Sequence, residues 1–388
     1  MVTFGADPQN WTDEELSWLK PFANTKVLGF GEAIHTSDGF YRAKVRIIKY
    51  LVQHHGYRAI SFENPWGEAL AATNFVERGE GTVKDALKGF LRVWRSTSVE
   101  ELLLWLREWN QKNPGDKVRL FGNDTQQFQW DLDCLLKSSL IAEADKIKLR
   151  ELMVKTFGEE VTRTRYGASE TFKNLRKTDF ADGQDRSSDI VKLLQSKKIP
   201  PNSLEENAQE SLIAGVLFLA KQITGDAKDI AQLRGESFAH RDRCMSHFTV
   251  KFAGTDKTIL WAHNWHIVRA SEALAEGLFH QGQFLRKELG EGYKAIAISA
   301  THIKSNWPWL PPEFSGEAIN QENSLEVELA AKHPQKSVFV ESGKGFSAKN
   351  YAAGMAELKE GEDISAQFDG LLVLPESGPI EYAVDWNE

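Results

Sequence analysis

The sequence predicts an α/β protein: a central mixed or mostly parallel sheet flanked by helices, with a large all-helical insertion or lid. Two patterns predict it. Short apolar runs alternate with helical stretches over roughly residues 1–127 and 251–388, which is the signature of a sheet covered by helices on both faces. That rhythm stops between residues 128 and 250, where the chain is charged and helix-like with no convincing strand. The expected organisation is therefore an α/β core from 1–127 and 251–388, carrying the site, and a helical subdomain or lid from 128–250. At 388 residues, 41% hydrophobic and 26% charged, the chain can bury a sizeable core without disulfide or metal staples.

The elements follow in order. Thr12, with Glu15 three residues on, is a capping-box pattern and predicts a helix opening there. KVLGF (26–30) is a short apolar run ending at Gly31 and predicts a buried strand. A loop from Glu32 to Gly39 leads to a helix over 40–54, with apolar Val45, Ile48, Leu51 and Val52. RAISFE (58–63) predicts the second strand, followed by an Ala-rich helix from Glu68. The helix VEELLLWLREWN precedes a third strand, VRLFGND (118–124). Further strands are predicted at KTILWAH (257–263), YKAIAIS (293–299), SVFVE (337–341) and GLLVLP (370–375). Within the helical stretch, Asp179–Ser188 (DFADGQDRSS) predicts a flexible link and Pro200-Pro201 a break.

Composition excludes several function classes. The net charge is −8, and the densest basic stretch, Arg163-Thr164-Arg165, lies beside Glu159 and Glu160. No nucleic-acid partner is expected. The N-terminus has neither a basic nor an apolar leader region, and the longest apolar run, Ile213 to Ala220, is too short to span a bilayer. A cytoplasmic location without a membrane partner is expected, as a monomer or weak dimer. Cys134 and Cys244 form no CxxC pair and read as reduced thiols, although Cys244 and His247 would share a helix face. Twelve tryptophans against four methionines suit a pocket for a bulky, partly apolar small molecule.

The chemistry collects at strand ends. Glu32 and His35 follow the first strand, Glu63 ends the second, Asn123 and Asp124 end the third, and His263 ends the fourth with His266 just beyond. Open α/β sheets bind ligands outside the carboxyl ends of their strands, so one edge receives all these groups. The chain has no GxSxG elbow, no phosphate loop, no GxGxxG and no HExxH. Histidines and carboxylates without a suitable serine point to water activated directly by a general base. On ligand type alone the same set could hold a metal, but its spacing matches no strong metal signature, so neither a metal nor another cofactor is expected.

Gly31-Glu32-Ala33-Ile34-His35 resembles the G-E-x-x-H motif of the erythromycin esterase family. Gly56-Tyr57, Phe62-Glu63, Leu103 to Asn110, Phe121 to Asp124, Arg241 to Met245, Ala262 to His266 and Phe368 to Leu372 resemble that family in the same order. The resemblance implies an α/β core with a helical subdomain, and metal-independent cleavage of an ester or lactone in a bulky natural product, such as a macrolide or polyketide-like compound, by water that His35 activates. It places Glu32, Glu63 and His263 in the catalytic set. His266, Arg241, Lys44, Asp124, Trp265 and Trp66 are the expected substrate-binding residues. Glu32 or Glu63 would fix the His35 tautomer, and His263 or a cation, Arg241 or Lys44, would stabilise the oxyanion. Two positions depart from the family pattern: Gly39 stands where an acidic residue is common, next to Asp38, and Trp265 where a small residue is common. Acyl transfer or elimination on the same scaffold, and metal-dependent hydrolysis, are the alternative readings.

Overall fold

The computed structural model describes residues 1–159, 162, 183–223, 230–269, 279–309, 317–319, 324–342 and 364–385. Among the described residues, nine strands form one mixed sheet: β1 (Val2–Phe4), β2 (Val27–Phe30), β3 (Tyr57–Pro65), β4 (Arg119–Asp124), β5 (Lys257–Trp261), β6 (Tyr293–Lys304), β7 (Glu317–Ile319), β8 (Ser337–Glu341) and β9 (Gly370–Ser377). The order across the sheet is β1-β8-β9-β6-β2-β5-β3-β4, with β7 pairing beside β6. At its centre, β2 pairs in parallel with both β5 and β6, and β3 with β5. The antiparallel pairs lie toward β1, β8 and β7. All seven predicted strands form. β1 and β7, at three residues each, are too short to show the alternation that reveals a strand.

Strand periodicity divides the core. Leu28, Phe30, Ile60, Phe62, Ile259, Trp261, Ile296 and Ile298 enter one apolar layer, with the helices α1 (Asp38–His55), α2 (Trp66–Arg78), α3 (Val83–Lys88) and α4 (Thr97–Lys112). Val27, Leu260, Ala262, Ala295 and Ala297 enter the other. Alternate residues of one strand therefore bury on opposite faces. α1 ends at Gly56, whose φ of 65° makes it a left-handed cap.

The chain divides into two compact units. The first comprises Met1–Glu63, Ala71–Phe121 and Thr249–Glu388, and the second Asn64–Leu70 and Gly122–Phe248. The second contains α5 (Gln129–Lys137), α6 (Glu143–Phe157), α7 (Gly183–Gln195), α8 (Leu204–Ile223) and most of α9 (Ile230–Ala253). The first continues with α10 (Asn264–Ile267), α11 (Gln281–Leu289), α12 (Leu325–Lys332) and α13 (Ile364–Gln367).

Two local expectations are corrected. The N-terminal helix is a 3-10 helix over Glu15–Phe22. The Thr12–Glu15 bonds do form, with the Glu15 amide donating to Thr12 Oγ1 at 3.2 Å and the Thr12 amide to Glu15 Oε2 at 2.8 Å. Pro21, inside the segment, cannot extend an α-helical ladder. The expected link at Asp179–Ser188 is partly helical: 183–188 open α7, which buries Ile190 and Leu194 at helical spacing, while 179–182 lie outside the described residues, as does Arg163-Thr164-Arg165. No described helix is long and apolar enough to cross a membrane.

Candidate active site

The loop leaving β2 is built for close approach. A Cβ on Gly31 would stand 2.1 Å from Asn264 Oδ1 and 2.7 Å from its Cα, so only glycine fits where the start of α10 docks. Asn264, just past β5, ties that turn to the β2 loop and to the middle of β6. Its amide donates to the Glu32 carbonyl at 2.9 Å, its Nδ2 donates to the Ile298 carbonyl at 3.0 Å, and its Oδ1 accepts from the Ile298 amide at 3.2 Å. Thr36 follows with φ of 61°, a left-handed conformation that costs a β-branched residue on the order of 1–3 kcal/mol. Tertiary bonds hold it there. Its amide donates to Tyr41 Oη at 2.9 Å, and its carbonyl accepts from the Ile380 amide at 3.1 Å. Its Oγ1 accepts from the Asn306 amide at 3.1 Å.

His35 sits between Gly31 and Thr36, partly exposed. Its Nδ1 bonds Glu32 Oε1 at 2.8 Å. Glu32 is fully buried, and its other oxygen pairs with Lys44 Nζ. Lys44 is itself buried within the apolar face of α1. It also donates to the Ala262 carbonyl at 3.0 Å and lies 4.9 Å from the centre of the Trp261 ring. Burial pushes the Lys44 ammonium well below its ordinary range, while the Glu63 carboxylate opposes that shift. The pair is a compensated buried charge, costly to break from either side.

Glu63, near the end of β3, serves the exit of β5. Its Oε2 accepts from the His263 amide at 2.8 Å and its Oε1 pairs with His266 Nε2 at 3.1 Å. Ligand atoms of Glu32, His35 and Glu63 all lie within 4.8 Å of one another. His263 is differently placed. Its Nε2 bonds the Ala33 carbonyl at 3.0 Å and its Nδ1 accepts from the Trp265 amide at 3.1 Å. Both ring nitrogens thus hold backbone, the first as donor and the second as acceptor. Burial, followed by the His35 charge, pushes the His263 pKa down to about 3, so this ring is neutral at ordinary pH.

Aromatic rings frame His35. Trp94, fully buried, stands edge-on at 4.8 Å between centroids, and its indole N–H donates to the Glu63 carbonyl at 2.7 Å. Trp307, partly exposed, lies 6.3 Å away, with Trp309 beyond it at 5.7 Å. Neither Trp94 nor Trp307 was among the sequence candidates. Tryptophan carries no positional signal when neither neighbours a motif.

The structure brings Glu32, His35, Lys44, Glu63, His263 and His266 together in the first unit. Trp265 lends its amide to His263, but its ring packs edge-on to His280 at 4.3 Å. Asp124, Arg241 and Trp66 belong to the second unit. There Arg241 grips Asp124 through Nε and Nη2, both at 2.8 Å, and both residues are buried. Trp66 stands edge-on to Trp130. Cys244 approaches His240 at 3.6 Å, whereas His247 faces Glu210 at 3.7 Å. Burial pushes the Cys244 thiol up to about 12 and the Cys134 thiol up to about 11, so neither is a ready nucleophile. The two departures also find a place. A Cβ on Gly39 would meet Ser377 Oγ at 2.8 Å and its Cα at 3.0 Å. Asp38, at the helix start, accepts from Ser98 Oγ at 2.5 Å and forms an ion pair with Arg42 at 2.5 Å.

A mixed sheet between helical layers, with imidazoles and carboxylates gathered at its strand exits, is an arrangement suited to hydrolysis. The model of the erythromycin esterase family matches residues 52–377; the chain belongs to that family and is a hydrolase of the esterase kind. It is 24% identical to YbfO of Bacillus subtilis (strain 168), named provisionally as a hydrolase, over 96% of this chain and 89% of that one. It is 20% identical to erythromycin esterase type II of Escherichia coli, over 80% and 79%. A histidine-to-asparagine variant of the erythromycin esterase EreC, in its open conformation, shares the fold at a TM-score of 0.72 and 16% identity, covering 99% of this chain and all 100% of its own. A succinoglycan biosynthesis protein shares it at 0.73 and 16%, over 98% and 95%.

Proposed function

We propose that this hydrolase opens an ester or lactone in a bulky natural product, using water that His35 deprotonates. The 2.8 Å bond between His35 Nδ1 and Glu32 carries the reading. A carboxylate on Nδ1 keeps the proton there and makes Nε2 the basic nitrogen. Nε2 takes a proton as the water oxygen bonds to the carbonyl carbon. When the tetrahedral intermediate collapses, the C–O bond to the leaving oxygen breaks and the imidazolium returns its proton to that oxygen. Glu32 stabilises the imidazolium, and Lys44 balances the Glu32 charge while the ring is neutral. His263, with both nitrogens engaged, acts as a positioning residue that fixes Ala33 and Trp265 around the site. Macrolide lactones enter as first candidates through the names of the relatives.

Hydrolysis run in ¹⁸O-water tests the reaction class: one labelled oxygen in the product acid supports it, and unlabelled product assigns the site to acyl transfer or elimination. The close approach of donor atoms from Glu32, His35 and Glu63 favours a second reading, a metal-dependent hydrolase. Glu32 and Glu63 already spend all four carboxylate oxygens on His35, Lys44, His263 and His266, which supports the metal-free mechanism. Stoichiometric zinc or manganese in purified protein, with activity lost on chelation, would reverse that preference.

A further inference from the structure

Resting on the proposed role of His35, we infer that Trp307 and Trp309 form a specificity wall for a flat aromatic ring carried by the ester substrate. Trp307 is the partly exposed ring next to His35, at 6.3 Å between centroids. Trp309 meets it at an interplanar angle of 74° and 5.7 Å. Two indoles set nearly perpendicular offer one face and one edge, the pair of contacts an aromatic ring makes best. Other side chains pack against this corner. Trp309 packs edge-on to Tyr382 at 6.1 Å, and the Arg92 guanidinium lies 5.9 Å from its ring centre.

Asn306 anchors the wall. The Asn306 amide donates to Thr36, its Nδ2 to the Ile380 carbonyl at 3.5 Å, and its carbonyl accepts from Tyr382 Oη at 2.9 Å. These bonds hold the wall to the His35 loop.

The test uses paired esters with one leaving group and either a benzoyl or a cyclohexanecarbonyl acyl part. In wild type the kcat/KM ratio favours benzoyl. Trp307→Leu lowers that ratio about ten-fold, and Trp307→Phe restores most of it. Because the ratio is internal to each variant, a general loss of activity or folding does not mimic the effect. Benzoate titrated into His35→Asn by tryptophan fluorescence gives a second readout independent of catalysis, and Trp307→Leu added to that background weakens binding relative to cyclohexanecarboxylate. An unchanged ratio together with unchanged product binding would overturn the wall. Turnover surviving in His35→Asn would instead overturn the role of His35, leaving the wall to stand or fall on the ratio.

Discussion

The loop after β2 and the turn after β5 each bring an imidazole into one site, and they use it in opposite ways. His35 gives one nitrogen to a buried carboxylate that is itself balanced by Lys44. His263 gives both nitrogens to backbone and is held neutral down to about 3. A base must be able to gain a proton near the working pH; a strut must keep one tautomer. On the proposed mechanism, the same residue type at the same sheet edge performs chemistry in one place and fixes geometry in the other, and the partners of the ring decide which.

Changes at the β2 exit should have the larger effects. Lys44→Met leaves Glu32 buried without its counter-charge and should cost about 3–5 kcal/mol of unfolding free energy in urea melts. Lys44→Arg should cost less only if the larger head fits. Glu32→Gln keeps an acceptor for His35 but removes the charge that stabilises imidazolium, so kcat should fall about 10²-fold. The double variant Glu32→Gln/Lys44→Met sharpens the contrast: it should recover stability relative to Lys44→Met without recovering turnover. If turnover returned with stability, Glu32 would be structural.

The β5 exit should show a smaller, pH-dependent effect. His263 protonates near 6.5 when unfolded and about 3 when folded. The unfolded state then binds more protons throughout that window, so stability falls as pH drops from about 6.5 toward 3, by up to about 1.4 kcal/mol per pH unit from this residue. Above the window the contribution to the slope vanishes. His263→Gln should flatten the slope and cost about 1–2 kcal/mol at neutral pH through its lost bonds. An unchanged slope would mean that the ring titrates normally.

Much of this architecture was legible in the sequence because the central strands are short apolar runs between clear helices, and because β2, β3, β4 and β5 each end near a polar motif. The distinction between His35 and His263 was not. It depends on where the Ala33 carbonyl and the Trp265 amide fall, and hence on Gly31 admitting Asn264. Lys44 was legible in part, since a lysine among Tyr41, Ile47, Ile48 and Leu51 interrupts an apolar helix face; its ion pair with Glu32 needed the β2 loop. Asp124 was legible at the strand edge and Arg241 through the family resemblance, while their pairing with each other in the second unit was not. The left-handed Thr36 left no trace, because it depends on residues 306 and 380, and Trp307 left none, because its ring meets His35 only across the fold.

The central claim is that His35 is the base and Glu32 its orienting partner. Steady-state kinetics of His35→Asn on an ester that wild type hydrolyses test it most directly, with thermal melts to confirm the fold. The account predicts kcat lower by about 10²–10⁴-fold, with KM and melting temperature little changed. A variant that kept more than about a tenth of wild-type kcat would contradict it.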